Sequence, residues 1–150
     1  MKTSLLALVA AVAMASALPA LAGESPREEA NKKAVMAFYD AALNKLDYEA
    51  ASAYLGPVYK QHNPTAADGP EGLKGFIAFL KTTYPQTHSE IVRAFADGDY
   101  VILHVHAVRT PGTAGNAIVD IFRLDKGKVV EHWDAVQPIP EKAANTNGMF

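Results

Sequence analysis

The spacing of the apolar residues changes once along the chain, near His88. Before this residue, apolar side chains recur three and four positions apart, which is the period of an amphipathic helix. After it, they alternate with polar side chains, which is the period of strands that bury one face. Helices followed by a run of strands predict an α+β domain in which the helices cover one face of a sheet.

Capping and helix-breaking residues divide the first half into three predicted helices. Ser25-Pro26-Arg27-Glu28 combines an N-cap Ser, a Pro at the first helical position and the Glu of a capping box, so it begins the first helix. Asp47 caps a short second helix, which Gly56-Pro57 ends because Pro cannot continue the hydrogen-bond ladder. After a brief segment over 58–62, Gly69-Pro70-Glu71 begins the third helix.

The second half predicts an antiparallel meander of four strands. The sequence Asp125-Lys126-Gly127 is typical of a three-residue hairpin loop with Gly in the left-handed position, which sets Leu124 opposite Lys128. Counting back from this loop pairs Asp120 with His132 on one face of the sheet. The predicted strands are Glu90–Ala96, Tyr100–Arg109, Ala117–Leu124 and Lys128–Gln137.

An apolar segment precedes the predicted domain. It covers Ser4–Met14, follows the positively charged Lys2 and leads to Ala20-Leu21-Ala22, an A-x-A cleavage pattern. Because the run is shorter than about 20 residues, a cleaved signal peptide is favoured over the alternative, an uncleaved membrane anchor. We predict a signal peptide over 1–22 and a domain over 23–150, located in a bacterial periplasm or secreted, without membrane contact after cleavage.

The composition narrows the classes of function. The 14 Lys and Arg are balanced by 16 Asp and Glu, which gives a formal net charge of -2 and no basic face for a phosphate backbone. Nucleic acid is therefore disfavoured as a partner. Without Cys the chain has no disulfide, thiolate ligand or Cys nucleophile, so its chemistry must come from His, carboxylates, hydroxyls or Tyr.

Polar residues recur on the predicted strands in a pattern that suggests a pocket. Because alternate residues of a strand share a face, two His of one strand and polar residues of the next two strands are expected to converge. The alternative is a solvated outer face, although an apolar residue such as Phe122 on the same rows would be unusual there. The expected polar cluster consists of His104, His106, Asp120, His132 and Asp134.

A second group of polar residues lies where the brief segment over 58–62 becomes a loop. Four of its side chains, Tyr59, Gln61, His62 and Asn63, are suited to binding a ligand. Asn63-Pro64 alone would initiate a turn, and a His in such a turn is usually on the surface. The position just before an apolar helix nevertheless favours the rim of a pocket.

Six segments taken in order resemble one known family. Together they resemble the SnoaL-like polyketide cyclases of the NTF2-like superfamily, over nearly all of the predicted domain. The segments are Tyr59-Lys60-Gln61-His62-Asn63-Pro64, Asp68-Gly69-Pro70-Glu71-Gly72, Gly98-Asp99-Tyr100-Val101, His104-Val105-His106, Val119-Asp120-Ile121-Phe122-Arg123 and Gly127-Lys128-Val129-Val130-Glu131-His132-Trp133-Asp134.

The resemblance implies a fold and a reaction. The fold is a cone: a strongly curved antiparallel sheet wrapped around a pocket and covered by helices. The reaction is a cofactor-independent aldol closure or enolisation on a small carbonyl compound, with no metal. The resemblance places the general base on Asp120 and an assisting group on His106, and His132 or Tyr59 could also donate to the enolate.

Two other functions stay open at this point. The first is a protein that binds a small molecule in the same pocket without turnover, because the fold alone assigns no function. The second is a metal site built from His104, His106, His132 and Asp120 or Asp134, whose side chains are ligand types for zinc or iron.

The resemblance also implies a homodimer that uses the outer face of the sheet. If Asp120 and His132 point into the cone, apolar side chains on the opposite face need cover. These are Val119, Ile121, Val129 and Trp133.

Overall fold

The first helix begins at the predicted capping box. In the computed structural model, which describes residues 23–150, α1 spans Pro26–Tyr39. Ser25 Oγ accepts from the Glu28 backbone N–H at 3.3 Å, and Glu28 Oε2 accepts from the Ser25 N–H at 2.7 Å. The predicted signal peptide lies outside the described residues. Within the described part of the chain, no helix is long and apolar enough to cross a membrane.

The helix continues into a π-helical turn, Asp40–Asn44. The Asn44 amide fixes this turn to the sheet, because it donates to the Ser89 carbonyl at 3.0 Å and accepts from the Ser89 N–H at 2.8 Å. The next helix, α2, spans Tyr48–Ser52 and has Asp47 as its N-cap, as predicted. The third, α3, spans Gly69–Thr83.

Gly56-Pro57 does not end α2, as the sequence suggested, but lies inside the first strand. β1 spans Leu55–Gln61 at the edge of the sheet, where Pro57 can be accommodated without its missing N–H. Gly56 packs so closely on the neighbouring strand that an added Cβ would lie 2.6 Å from Val130 Cγ1. This contact explains why a small residue is required there.

The sheet is mixed and has five strands in the order β1-β5-β4-β3-β2. The predicted four-strand meander is confirmed, but β1 adds to it in parallel with β5, so the sheet is not purely antiparallel. The sheet is curved and unclosed, and α1 and α3 pack against its inner face. The meander strands are β2 (His88–Asp97), β3 (Tyr100–Val108), β4 (Asn116–Asp125) and β5 (Lys128–Pro138).

The β4–β5 register differs from the predicted one by two residues. The hairpin has a two-residue turn at Lys126-Gly127, and a register shift next to Leu124 adds one further residue on β5. Asp120 therefore lies opposite Asp134 rather than His132. Because side chains alternate with a period of two, a shift of two residues keeps Asp120 and His132 on the same face.

Candidate active site

A cavity of about 170 Å³ lies between the helices and the inner face of the sheet. Its walls are mostly apolar, which is typical of pockets for small molecules. Among the apolar lining residues are Phe38, Leu73, Phe76, Ile118 and Phe122. The polar lining includes Tyr39, Tyr59, Gln61, Asn63, Arg109, Asn116, Asp120, His132 and Asp134.

Asp120 is the most deeply buried carboxylate of this cavity, with 4% of its surface exposed. β4 presents it between Leu103 of β3 and Asp134 of β5. Its Oδ1 accepts a hydrogen bond from His132 Nε2 at 3.0 Å. Its Oδ2 is buried and has no hydrogen-bond partner among the described residues. A buried oxygen left in this state costs free energy, so it is unusual outside functional sites.

A hydrogen-bonded chain behind Asp120 fixes the His132 imidazole. His132 Nδ1 lies 2.9 Å from Gln61 Oε1, and Gln61 Nε2 lies 2.9 Å from the Tyr59 hydroxyl. If Gln61 Oε1 faces Nδ1, both imidazole nitrogens of His132 donate. If the Gln61 amide is reversed, Nδ1 accepts from its nitrogen. With Asp120 ionised, Nε2 donates to Oδ1 in both cases, so the chain orients the carboxylate and leaves Oδ2 without a partner among the described residues.

The two tyrosines of the cavity stay protonated at neutral pH. Burial raises the pKa of Tyr39 well above its ordinary value, and the charge of Asp120 raises it further, while Arg109 opposes both. Burial also raises the pKa of Tyr59, again with the charges of Asp120 and Asp134 adding to it. The Tyr39 hydroxyl lies beside Asp120 and Ser89, outside normal hydrogen-bond geometry with Asp120 Oδ2 and Ser89 Oγ. Both phenols are therefore neutral hydrogen-bond donors.

The rim of the cavity is fixed by the loop after β1. The Asn63 amide donates to both oxygens of Asp134, at 2.9 and 2.7 Å. Its carbonyl oxygen accepts from the backbone N–H and the hydroxyl of Thr65. The Asn63-Pro64 turn therefore serves the site, because it holds Asp134 at the cavity mouth.

The profile of the SnoaL-like domain matches residues 35–132 of this sequence. The chain belongs to the SnoaL-like family. No curated protein is significantly similar to it.

Solved structures show the NTF2-like fold that this family shares. TsrD from Streptomyces laurentii is 22% identical, with a TM-score of 0.61 over 71% of this chain and 88% of that one. A candidate SnoaL-like polyketide cyclase from Jannaschia is 19% identical, with a TM-score of 0.62 over 77% and 90%. An NTF2-like protein of unknown function from Burkholderia xenovorans is 18% identical, with a TM-score of 0.62 over 80% and 92%.

Within this SnoaL-like chain, the cavity brings together seven of the ten site residues predicted from sequence. Residues from β1, β4, β5 and the loop after β1 converge there because β5 lies between β1 and β4 in the sheet. The seven are Tyr59, Gln61, Asn63, Asp120, Phe122, His132 and Asp134.

The predicted convergence of His104 and His106 with Asp120 is wrong. Leu103 is the β3 residue opposite Asp120, so the two His project from the outer face of the sheet. There His104 Nδ1 contacts Arg93 at 3.1 Å, and His106 Nε2 contacts the Ala114 carbonyl at 2.8 Å. The β3–β4 register decided this, because a shift of one residue moves every side chain to the other face.

His62 also lies away from the cavity. Its Nε2 contacts Glu131 Oε1 at 2.8 Å, and its ring stacks on Trp133 with centroids 4.6 Å apart. Trp133 is therefore on the outer face, as predicted, and packs on His62. His62 alternates with Gln61 along the chain, so only one of the two can point into the cavity.

Among the polar residues of the SnoaL-like cavity that sequence reasoning missed are Tyr39 and Arg109. Tyr39 lies four positions after the fully buried Val35 on the apolar stripe of α1, and a buried Tyr needs a partner for its hydroxyl. Arg109 follows Ala107 at the period of the inward side chains of β3. Both signals were present in the spacing of the sequence.

Proposed function

We propose that this SnoaL-like protein is a cofactor-independent lyase or isomerase with Asp120 as its general base. The observation that supports this proposal is the buried Oδ2 of Asp120, which has no partner within residues 23–150 and lies in a largely apolar cavity. An oxygen that accepts no hydrogen bond keeps its lone pairs available for a proton of the substrate. His132 holds the other oxygen and so fixes the direction in which Oδ2 points.

In the proposed reaction, Oδ2 removes a proton from the carbon next to a carbonyl group. The electron pair of the broken C–H bond moves into the carbonyl and forms an enolate, while Asp120 becomes protonated. The neutral Tyr39 hydroxyl lies beside Asp120 and can donate to the enolate oxygen. In an isomerisation, the protonated Asp120 returns this proton to a second carbon of a conjugated enolate. In an aldol step, the enolate carbon instead attacks a second carbonyl group, and Asp120 gives its proton to the alkoxide that forms.

The size of the cavity limits the substrate. A cavity of about 150 Å³ in another protein holds benzene, and this one measures about 170 Å³. Pockets for drug-sized ligands are larger, about 300 to 1,000 Å³. We therefore expect a compound with a single ring or a short chain.

Hydrogen–deuterium exchange tests the proposed base without knowledge of the product. Small ketones and oxo acids are incubated with the protein in D₂O, and loss of the α C–H signal is followed by NMR. Wild-type protein should accelerate exchange for at least one compound, and Asp120→Asn should lower that rate about 100-fold or more. Asp99→Asn, a matched change at an exposed ion pair with Arg27, should leave it unchanged.

Two results of this experiment would contradict the proposal. Full exchange activity in Asp120→Asn would remove Asp120 as the base. Binding of the compounds without any exchange in wild-type protein would instead favour the non-catalytic binding function.

A second candidate function is a divalent metal site, because Asp120, His132 and Asp134 each offer a ligand atom within 4.8 Å of the others. A cation between them would give Asp120 Oδ2 the partner it lacks, and carboxylate and imidazole ligands suit zinc, iron or manganese. His104 and His106, part of the set suggested from sequence, lie on the other face and cannot contribute.

Thermal melts with each metal ion distinguish the two functions. Zn²⁺ or Mn²⁺ should raise the Tm of wild-type protein, and Asp134→Asn should abolish the increase. The protein is first stripped of metal with EDTA, and the EDTA is removed. If neither added ion then changes the Tm, the metal function is wrong and the acid–base function remains.

A further inference from the structure

Arg109 is a cation of the cavity with no anionic partner in the part of the chain that the structure describes. It follows the last residue of β3, is half-buried and lines the cavity. Its Nη1 donates to Thr87 Oγ1 at 3.0 Å, and Thr87 is itself buried. Among residues 23–150, no carboxylate lies within ion-pair distance of Arg109.

A half-buried guanidinium without a counter-ion is energetically unfavourable. It has lost part of its hydration, and the bond to Thr87 uses only one of its several N–H donors. A carboxylate would supply the missing charge and accept two parallel N–H bonds, the geometry that a guanidinium fits best. The hydroxyl of Thr87 holds the guanidinium in place before any ligand enters.

The charges of the cavity are separated along its length. Arg109 and Asn116 mark the end where β3 stops and β4 begins, whereas Asp120 and Asp134 lie further along β4 and β5. Tyr39 lines the same cavity as both groups, and the charge of Asp120 raises the pKa of its phenol while that of Arg109 lowers it. An anionic ligand is therefore attracted to the Arg109 end and repelled from the Asp120 end.

We propose that Arg109 binds the carboxylate of the substrate, which is then a small oxo acid rather than a neutral ketone. This inference rests on the proposed function in taking the same cavity as the substrate site, but carboxylate binding itself requires no turnover. With the carboxylate on Arg109, the carbonyl end of the molecule extends toward Asp120. The substrate can then enter in only one orientation.

Calorimetric titration with benzoate and benzamide tests this proposal, because the two probes match in shape and differ in charge. Near pH 7, benzoate should bind wild-type protein about tenfold more tightly than benzamide, or better, as expected for hydrogen bonds between charged groups. Arg109→Gln should abolish the preference. Arg93→Gln, which removes an exposed arginine on the outer face, should retain it.

Further variants keep the test decisive. If Arg109→Gln does not fold, Arg109→Lys keeps the charge without the planar fork and should bind benzoate more weakly while still preferring it to benzamide. Asp120→Asn should bind benzoate at least as tightly as wild type, even if it fails to exchange protons. Absence of benzoate binding to wild-type protein, or an unchanged preference in Arg109→Gln, would overturn the proposal for the Arg109 site and leave that for Asp120 standing.

Discussion

At Asp120, the two oxygens of one carboxylate have different environments. Oδ1 is held by His132, and Oδ2 has no partner from the described residues inside the cavity. The difference arises because the chain from Tyr59 through Gln61 to His132 approaches Asp120 from one side only. We regard His132 as a positioning residue, since it would act through the carboxylate and not on the substrate.

His132→Gln should lower the rate of α-proton exchange by about 10- to 100-fold, the range expected when a reacting group is misplaced. The KM should change little, because His132 is not the proposed binding group. His106→Ala is the matched control and should leave the rate unchanged, because its ring lies on the outer face near Phe150. A larger loss in His106→Ala than in His132→Gln would contradict the assignment. Exchange rates measured by NMR decide between them.

At the scale of the element, Glu28 connects the start of α1 to the β2–β3 hairpin. Its Oε1 accepts from the Gly98 N–H at 2.8 Å, and Oε2 accepts from the Ser25 N–H. The bond from Gly98 is the main reason that the pKa of Glu28 falls from 4.5 to about 2, and bonds from Ser25 add to it. One carboxylate thus serves as the capping box and as a tertiary contact.

This pKa predicts how stability depends on pH. Because the folded-state pKa is lowered, the contribution of Glu28 is fully present above about pH 4.5 and is lost as the pH falls through about 2. Glu28→Gln should therefore lower the Tm near neutral pH, and the difference from wild type should shrink between those two values. Glu29→Gln, an exposed neighbour on the same turn, should change the Tm less. Equal melting curves for Glu28→Gln and wild type near neutral pH would contradict this.

The predicted and the observed register of the β4–β5 hairpin differ, yet both place Asp120 and His132 on the same face of the sheet. The hairpin turn is one residue shorter than predicted, and the register shift near Leu124 adds one residue to β5. These changes add to two residues, which preserves the faces of Asp120 and His132. They also turn Val129 inward, where it is fully buried. The prediction that Val129 belongs to the outer face is therefore wrong.

For the whole molecule, assembly remains a prediction. Val119 is 41% exposed on the outer face, and Met149 of the C-terminal tail lies beside it. We expect a homodimer through this face, because apolar side chains there gain from being covered. Light scattering at tens of micromolar should give twice the chain mass, and Val119→Asp should halve it. Val58→Asp, at an exposed position on β1, is the control. A monomeric wild-type protein would contradict the prediction.

Export is the second proposal for the whole molecule. We propose that cleavage after Ala20-Leu21-Ala22 gives a mature protein that begins at Gly23. N-terminal sequencing of protein from the periplasmic fraction or the medium should find Gly23. Replacement of Ala20 and Ala22 by bulky residues should block processing, because signal peptidase needs small side chains at these positions. Accumulation of the unprocessed chain in the membrane fraction would contradict the proposal.

The sequence by itself determined most of the elements and, within the regular part of a strand, which side chains share a face. Caps, helix breakers and the period of the apolar residues are local signals, so they predicted α1, α3 and the four meander strands. The same period grouped Asp120 with Phe122 and His132 with Asp134. The capping box at Ser25 is another feature that neighbouring residues alone decide.

Only the tertiary structure decided how these faces meet. The parallel pairing of β1 with β5 depends on contacts between distant segments, and it brings Gln61 to His132. The register of β3 on β4 set Leu103 opposite Asp120, which excluded His104 and His106 from the cavity. A shift of one residue between strands reverses the faces, and the long connection after β3 permits either register. Packing of the apolar residues of β3 against the helices selects the register observed.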